Sequence, residues 1–552
     1  NARRPGRARN DNGLEQEISP MTKPASHAAL FAAAAVAALA AFAPPSASAQ
    51  TLRYGSANDI LGLDPHANNH GVTNAMKSNM YDPLVRRNFD GALQPGLAER
   101  WEQTSPTTWR FHLRRNVRFH GGQPFVADDV IASFERVRQP TSDMSYTVVS
   151  IERIEKVDDH TVTIVTKGPN PVLLQDLTLF FIVNKAWIDA NNAMTVARSG
   201  QAGAATNFAN NNVNGTGPFR LVERVADERT VMEINPNAWD SAAATGIQRA
   251  IWRPVSNAAT RVAAIRSREL DIMYPVPLQD VAALQNAQGL TVRQGPTART
   301  VYLAMDTARE TLLDQPGVKN PLTDARVRRA IYQAIDIAAI QRVVMRGFGQ
   351  TSGLIIAPQV QGWDREANQR LPHDPDAARR LLAEAGYPNG FTISMHCPNN
   401  RYINDEAICT AVVPMLARVG VNVRLTGMNF SQFIPAGGQG QFQFYLLGWA
   451  PGNFDLSNPL RELLTMTNGA GTFNWGRYSN PRVEALRDQI ATETNMENRA
   501  ALSRQVWQIV REDVPIVPLH QEPQVFAILD TVAEFNMRVQ EDVELRHVRL
   551  RR

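Results

Sequence analysis

The residues able to do chemistry gather in two loops. Phe442 to Pro459 reads FQFYLLGWAPGNFDLSNP. Its aromatic and apolar first half has the look of a buried strand. The run ends at Gly448-Trp449 and opens into a loop holding Gly452, Asn453 and Asp455. One large aromatic beside small polar groups at the end of a strand is how sites for small molecules are commonly built. A surface turn with Trp449 tucked into the core fits the same residues. The second loop, Cys397-Pro-Asn-Asn-Arg-Tyr402, brings a cation, Arg401. Its plain alternative is a surface salt bridge to Asp405 or Glu406.

Other chemistry is poorly supported. Asp64, His66 and His70 can be drawn as metal ligands, but they stand in a Pro- and Asn-rich loop without helical register and read as solvated loop residues. No metal site and no cofactor are expected. A rival reading, a secreted hydrolase, finds no G-x-S-x-G after a strand, no H-E-x-x-H and no cysteine with a partner histidine. No catalytic residue is assigned.

Three strands and the helices between them must position the two loops. Phe391 to His396 and Val421 to Leu425 alternate apolar and polar residues, and Glu406 to Val419 has apolar residues at helical spacing, with Gly420 as a stop. With Phe442 to Leu447 this makes a β-α-β-α-β pattern, so the strands are expected to be parallel. Ligands of such sheets sit beyond the carboxyl ends of the strands, which makes Arg401 and Trp449 neighbours. Cys397 ends the first strand and Cys409 lies early in the helix folding back along it. A disulfide is one outcome in an oxidising compartment, and two buried thiols are the other.

Asn1 to Pro20 is polar and aperiodic and is read as an upstream extension. Met21 opens a secretory signal, with Lys23 and His27, the apolar run Ala28 to Ala43 and an Ala47-Ser48-Ala49 cleavage site. Residues 21–49 are therefore the signal peptide, and without a cysteine at the cleavage point no lipid anchor is expected. The product is expected in a periplasm. A formal net charge of +4 over 552 residues gives no reason to expect nucleic acid.

Trp109 to Ser133 carries the pattern W-x-F-x-L-R-x-x-V-x-F-H-x-G-x-P-F-x-A-x-D-V-x-x-S. By physics alone it is a strand through His120, a Gly121-Gly122 turn and an acid-capped helix. The pattern resembles family 5 of the extracellular solute-binding proteins, the periplasmic receptors of peptide and nickel ABC importers. The resemblance continues through Gly215-Thr-Gly-Pro-Phe219, Asp324 to Ala330, Asp374 to Leu382 and Tyr478 to Pro481. It implies an α/β, bilobed periplasmic-binding-protein fold of type II with an extra subdomain in the first lobe and the ligand cleft between lobes. The first lobe would be 51–95, 215–300 and 520–552, the inserted subdomain 96–214 and the second lobe 301–519.

The resemblance also implies a monomer that captures a peptide-like or carboxylate-bearing solute and hands it to an inner-membrane ABC permease. Nickel chelates and opines are alternatives within that class. Similar receptors hold the peptide ammonium with an Asp three residues after the Trp; here that position is Gly452, so free-N-terminus peptides are disfavoured. Gly452→Asp is expected to restore them. Arg401 falls where the peptide-carboxylate arginine lies, and a bidentate guanidinium suits any carboxylate. The implied ligand set is Arg401, Trp449, Gly452, Asn453 and Asp455.

Overall fold

The computed structural model describes residues 50–88, 91–240, 245–539 and 543–551. The expected extension and signal peptide lie outside the described residues. No helix among the described residues is long and apolar enough to cross a membrane.

Two long strands organise the fold. Leu290–Met305 and Ile516–Leu529 pair antiparallel along nearly their whole lengths, and every residue of the second is buried. On one side of this pair the sheet continues through Ile272–Tyr274, Thr51–Ser56, Arg249–Pro254, Arg229–Ile234 and Phe219–Val225. On the other it continues through Phe444–Trp449, Phe391–Pro398 and Val421–Met428. Residues 301–305 and 516–519 lie at the ends of these longer strands, where they pair with each other. Their ladder slips between Pro296 and Thr300 and again between Val301 and Tyr302.

The β-α-β-α-β unit forms as its pattern requires. Phe391–Pro398 lies between Val421–Met428 and Phe444–Trp449 and is parallel to both. Asp405–Ala417 packs on the first two strands. Nearby, the helix Pro375–Glu384 is bounded by local chemistry: the Asp374 carboxylate accepts the Ala377 N–H at 2.8 Å, Pro375 occupies the first position and Gly386 follows at φ +91°.

A separate antiparallel sheet, ordered Ala98–Ser105, Thr108–Leu113, Thr161–Thr166, Ile151–Asp158, packs its apolar face with the helix Ala127–Val137 around Phe111, Phe125, Val130, Phe134 and Ile164. The strand expected through His120 stops at Leu113. Beyond it Phe119 turns back, its N–H donating to the Gln123 carbonyl at 2.9 Å. The helix start is closed by Asp129, which accepts the Val126 N–H at 2.9 Å. His120 is structural: its N–H donates to the Gly215 carbonyl at 2.8 Å and its Nε2 meets the Gly217 carbonyl at 3.1 Å. Gly215 has to be glycine, because a Cβ there would collide with the Met80 carbonyl.

Candidate functional site

The loop after Phe391–Pro398 is held from several sides. Cys397 and Cys409 are joined as a disulfide, with Cα atoms 6.5 Å apart. The Asp405 carboxylate accepts the main-chain N–H groups of Arg401, Tyr402 and Glu406 at 2.9, 2.9 and 3.0 Å. Burial nonetheless pushes its pKa up to about 7. Glu522, on the long central strand, accepts the Ile403 N–H at 2.9 Å and pairs with Arg299 at 3.1 Å. The Tyr402 hydroxyl accepts the Gly448 N–H at 2.8 Å, tying the first loop to the end of Phe444–Trp449. On this frame the Arg401 guanidinium stands 5.0 Å from the Tyr402 ring and 5.7 Å from the Phe430 ring.

Arg401 and Trp449 line one cavity, with about 1150 Å³ of empty space counting its solvent-open mouth. Trp449 is anchored by its indole N–H, which donates to Asn458 Oδ1 at 2.8 Å, and packs on Phe473. The opposite wall is built by His70, Asn74 and Ser78 on or beside the helix Gly71–Met80, by Arg86 and Arg87, and by Arg538, Glu544 and Arg546 near the C-terminus. The lining of the whole cavity carries six arginines (86, 87, 299, 401, 538 and 546) and one acid, Glu544, and carboxylates behind the lining pair with several of the arginines. Burial alone would raise the Glu544 pKa, but Arg538, His547 and Arg546 hold it well below the usual range. Arg86 pairs with Asp240 at 2.6 Å, and Arg546 with Asp82 at 3.2 Å. Arg87 donates to the carbonyls of Gly91 and Asn453 at 2.9 and 3.1 Å, and burial brings its pKa down to about 10.

Two sequence expectations change here. Asn453 is not a cavity residue; its side chain donates across the cleft to Asp176 at 2.8 Å, while Arg87 caps its carbonyl and stacks on Phe454. Asp455 is not one either. Its carboxylate is buried in a bidentate pair with Arg499, 2.7 Å to each oxygen, and receives the Ser457 N–H. Gly452 does line the cavity, but a Cβ there would stand 2.6 Å from Leu179 Cδ1 and 2.9 Å from the Tyr146 hydroxyl. Gly452→Asp would therefore have to displace the ends of the Leu179 and Tyr146 side chains.

The drawn metal set also dissolves. Asp64 is in a fully buried bidentate pair with Arg136, and His66 bonds the Phe181 carbonyl at 2.8 Å. Burial and the Arg136 charge bring the His66 pKa down to about 3. Among the described residues no cluster of three or more His, Cys, Asp or Glu is placed to hold a metal ion. Arg299, Tyr402 and Phe430 had a faint signal, being apolar or basic beside the expected strand ends. Arg87, Arg538 and Arg546 had none, because nothing local ties them to the cleft.

A family model described as bacterial extracellular solute-binding proteins, family 5 middle, matches residues 92–471. The chain belongs to that family. Heme-binding protein A of Haemophilus influenzae is 28% identical over 499 residues, covering 86% of this chain and 87% of that protein. The dipeptide-binding protein of Escherichia coli K12 is 27% identical over 500 residues, covering 85% and 89%. A dipeptide-binding protein from Pseudoalteromonas sp. SM9913, solved with Met-Leu, superposes with a TM-score of 0.80 at 23% identity, covering 91% of this chain and all of its own. The fold is thus the bilobed one, and the basic cavity lies where the two lobes face each other.

Proposed function

We propose that this chain is the periplasmic receptor of an ABC importer, without enzymatic activity, that captures a small carboxylate-bearing solute lacking a free α-amine and presents it to the inner-membrane permease. The observation that carries the reading is the cavity wall: six arginines, with Arg401 braced on two aromatic rings, and a lining acid already engaged by arginines. A buried carboxylate is stabilised there by charge-assisted bonds. A buried ammonium meets glycine where an acid would be required. Relatives named for heme and for dipeptides show that membership of the family leaves the ligand open, so the cavity chemistry has to decide. Calorimetry with N-acetylated dipeptides and other amine-free carboxylates is expected to give tighter binding than the matching free dipeptides. Tight binding of ordinary dipeptides with no response to amine-free carboxylates overturns the reading.

In this proposal the first lobe, 51–95, 215–300 and 520–552 with its inserted subdomain 96–214, and the second lobe, 301–519, rotate about the slipped ladder at 296–302, and ligand favours the closed arrangement. Asn453 and Arg87 then act as a clasp across the cleft. The clasp is pH-sensitive. Burial raises the Asp176 pKa to about 7, against the opposing hydrogen bonds from Asn453 and Asn170. In an open, solvated state the carboxyl falls toward ~4, so the closed state binds more protons between about pH 4 and 7. Closure strengthens as pH falls through that window and is flat above it. Affinity should rise on acidification from pH 7 to 5, by at most ~10-fold per unit for one proton. Asp176→Asn should remove that slope. An equal slope in the variant assigns it elsewhere.

A further inference from the structure

His70 stands at the start of the helix Gly71–Met80, on the first-lobe wall of the cavity. Its Nδ1 is 3.1 Å from the Thr73 hydroxyl, which is fully buried and already accepts the Leu61 N–H at 3.0 Å. That hydroxyl keeps its own proton, and Nδ1 is a hydrogen-bond partner in reach that can take it. With the Thr73 hydroxyl donating to Nδ1, the imidazole proton stands on Nε2. His70 is 6% exposed, yet Nε2 has no hydrogen-bond partner, an unfavourable state for a buried donor. Across the cleft the ring lies on Phe430, 4.8 Å between centroids, the same ring that supports Arg401.

We infer that His70 is the first-lobe ligand contact, a neutral Nε2–H donor to a carboxylate or carbonyl oxygen of the solute that Arg401 holds from the second lobe, with Thr73 as the positioning residue that fixes the tautomer. The inference rests on the carboxylate reading of the cavity. Burial, with the charges of Arg401, Arg299 and Lys77, keeps the imidazole neutral well below its ordinary pKa, so its contribution is independent of pH near neutrality. It adds direction where the arginines add charge. A neutral donor also takes a carbonyl that a guanidinium cluster does not select.

The test uses the full chain and an N-acetylated dipeptide as probe. Nitrogen NMR of the ligand-free protein should show Nε2 protonated and Nδ1 bare, and saturation with the probe should move the Nε2 resonance while Nδ1 stays. His70→Ala should weaken the probe roughly ten- to hundredfold, and His70→Gln, which keeps a donor at a similar reach, should recover most of it. Thr73→Val should let the tautomer mix. A bare Nε2 in the ligand-free protein, or equal binding by the unaltered protein and His70→Ala, overturns the inference. A protein that binds the probe through Arg401 but not His70 sinks this inference alone. One that ignores the probe altogether sinks the carboxylate reading with it.

Discussion

Arg401→Ala is expected to weaken binding of an amine-free carboxylate by about 2–5 kcal/mol, the usual loss when one member of a buried charge pair is removed. The loss should appear in affinity and not in folding. The loop keeps its shape because Asp405 holds the main-chain N–H of residue 401, a contact that alanine preserves. Arg401→Lys should fall between the two. A lysine keeps the charge but loses the planar fork and the stacking on Tyr402 and Phe430. Calorimetry with an N-acetylated dipeptide, beside thermal unfolding without ligand, separates the effects. Unchanged affinity in a folded Arg401→Ala protein moves the anion site to the arginines of the opposite wall.

Asp455→Ala should cost about 3–5 kcal/mol of folding stability, since it strands the buried Arg499 guanidinium without its carboxylate. The remaining Arg499 bonds go to main-chain carbonyls, among them Glu493 at 3.3 Å, which do not neutralise the charge. Replacing both partners, Asp455→Leu with Arg499→Met, should cost much less than either single change, because no lone charge is left in the interior. Urea unfolding of the two single variants and the double measures the coupling. This also separates the two roles that residue 455 has been assigned here. A small stability loss with abolished ligand binding would restore Asp455 to the site.

Local rules carried the architecture. Alternation in Phe391 to His396 and Val421 to Leu425, helical spacing between them and the apolar run into Trp449 are short-range signals, and they suffice for three parallel strands whose loops share an edge. Asp374, Pro375 and Gly386 bound their helix because capping acts within a few residues. The same topology brought Arg401 and Trp449 to one cavity. What the loop residues do was decided only in three dimensions. Asn453 reads as a ligand contact until Asp176, 277 residues earlier, meets it across the cleft, and Asp455 until Arg499, 44 residues later, takes its carboxylate. Gly452 reads as a missing acid from the sequence, but only the fold shows Leu179 and Tyr146 standing beside it. His70 reads as a solvated loop residue until the Gly71–Met80 helix turns it against Phe430. A polar side chain's role follows from the partner that desolvates it, and for these residues the partner comes from a distant part of the chain, which no local pattern encodes.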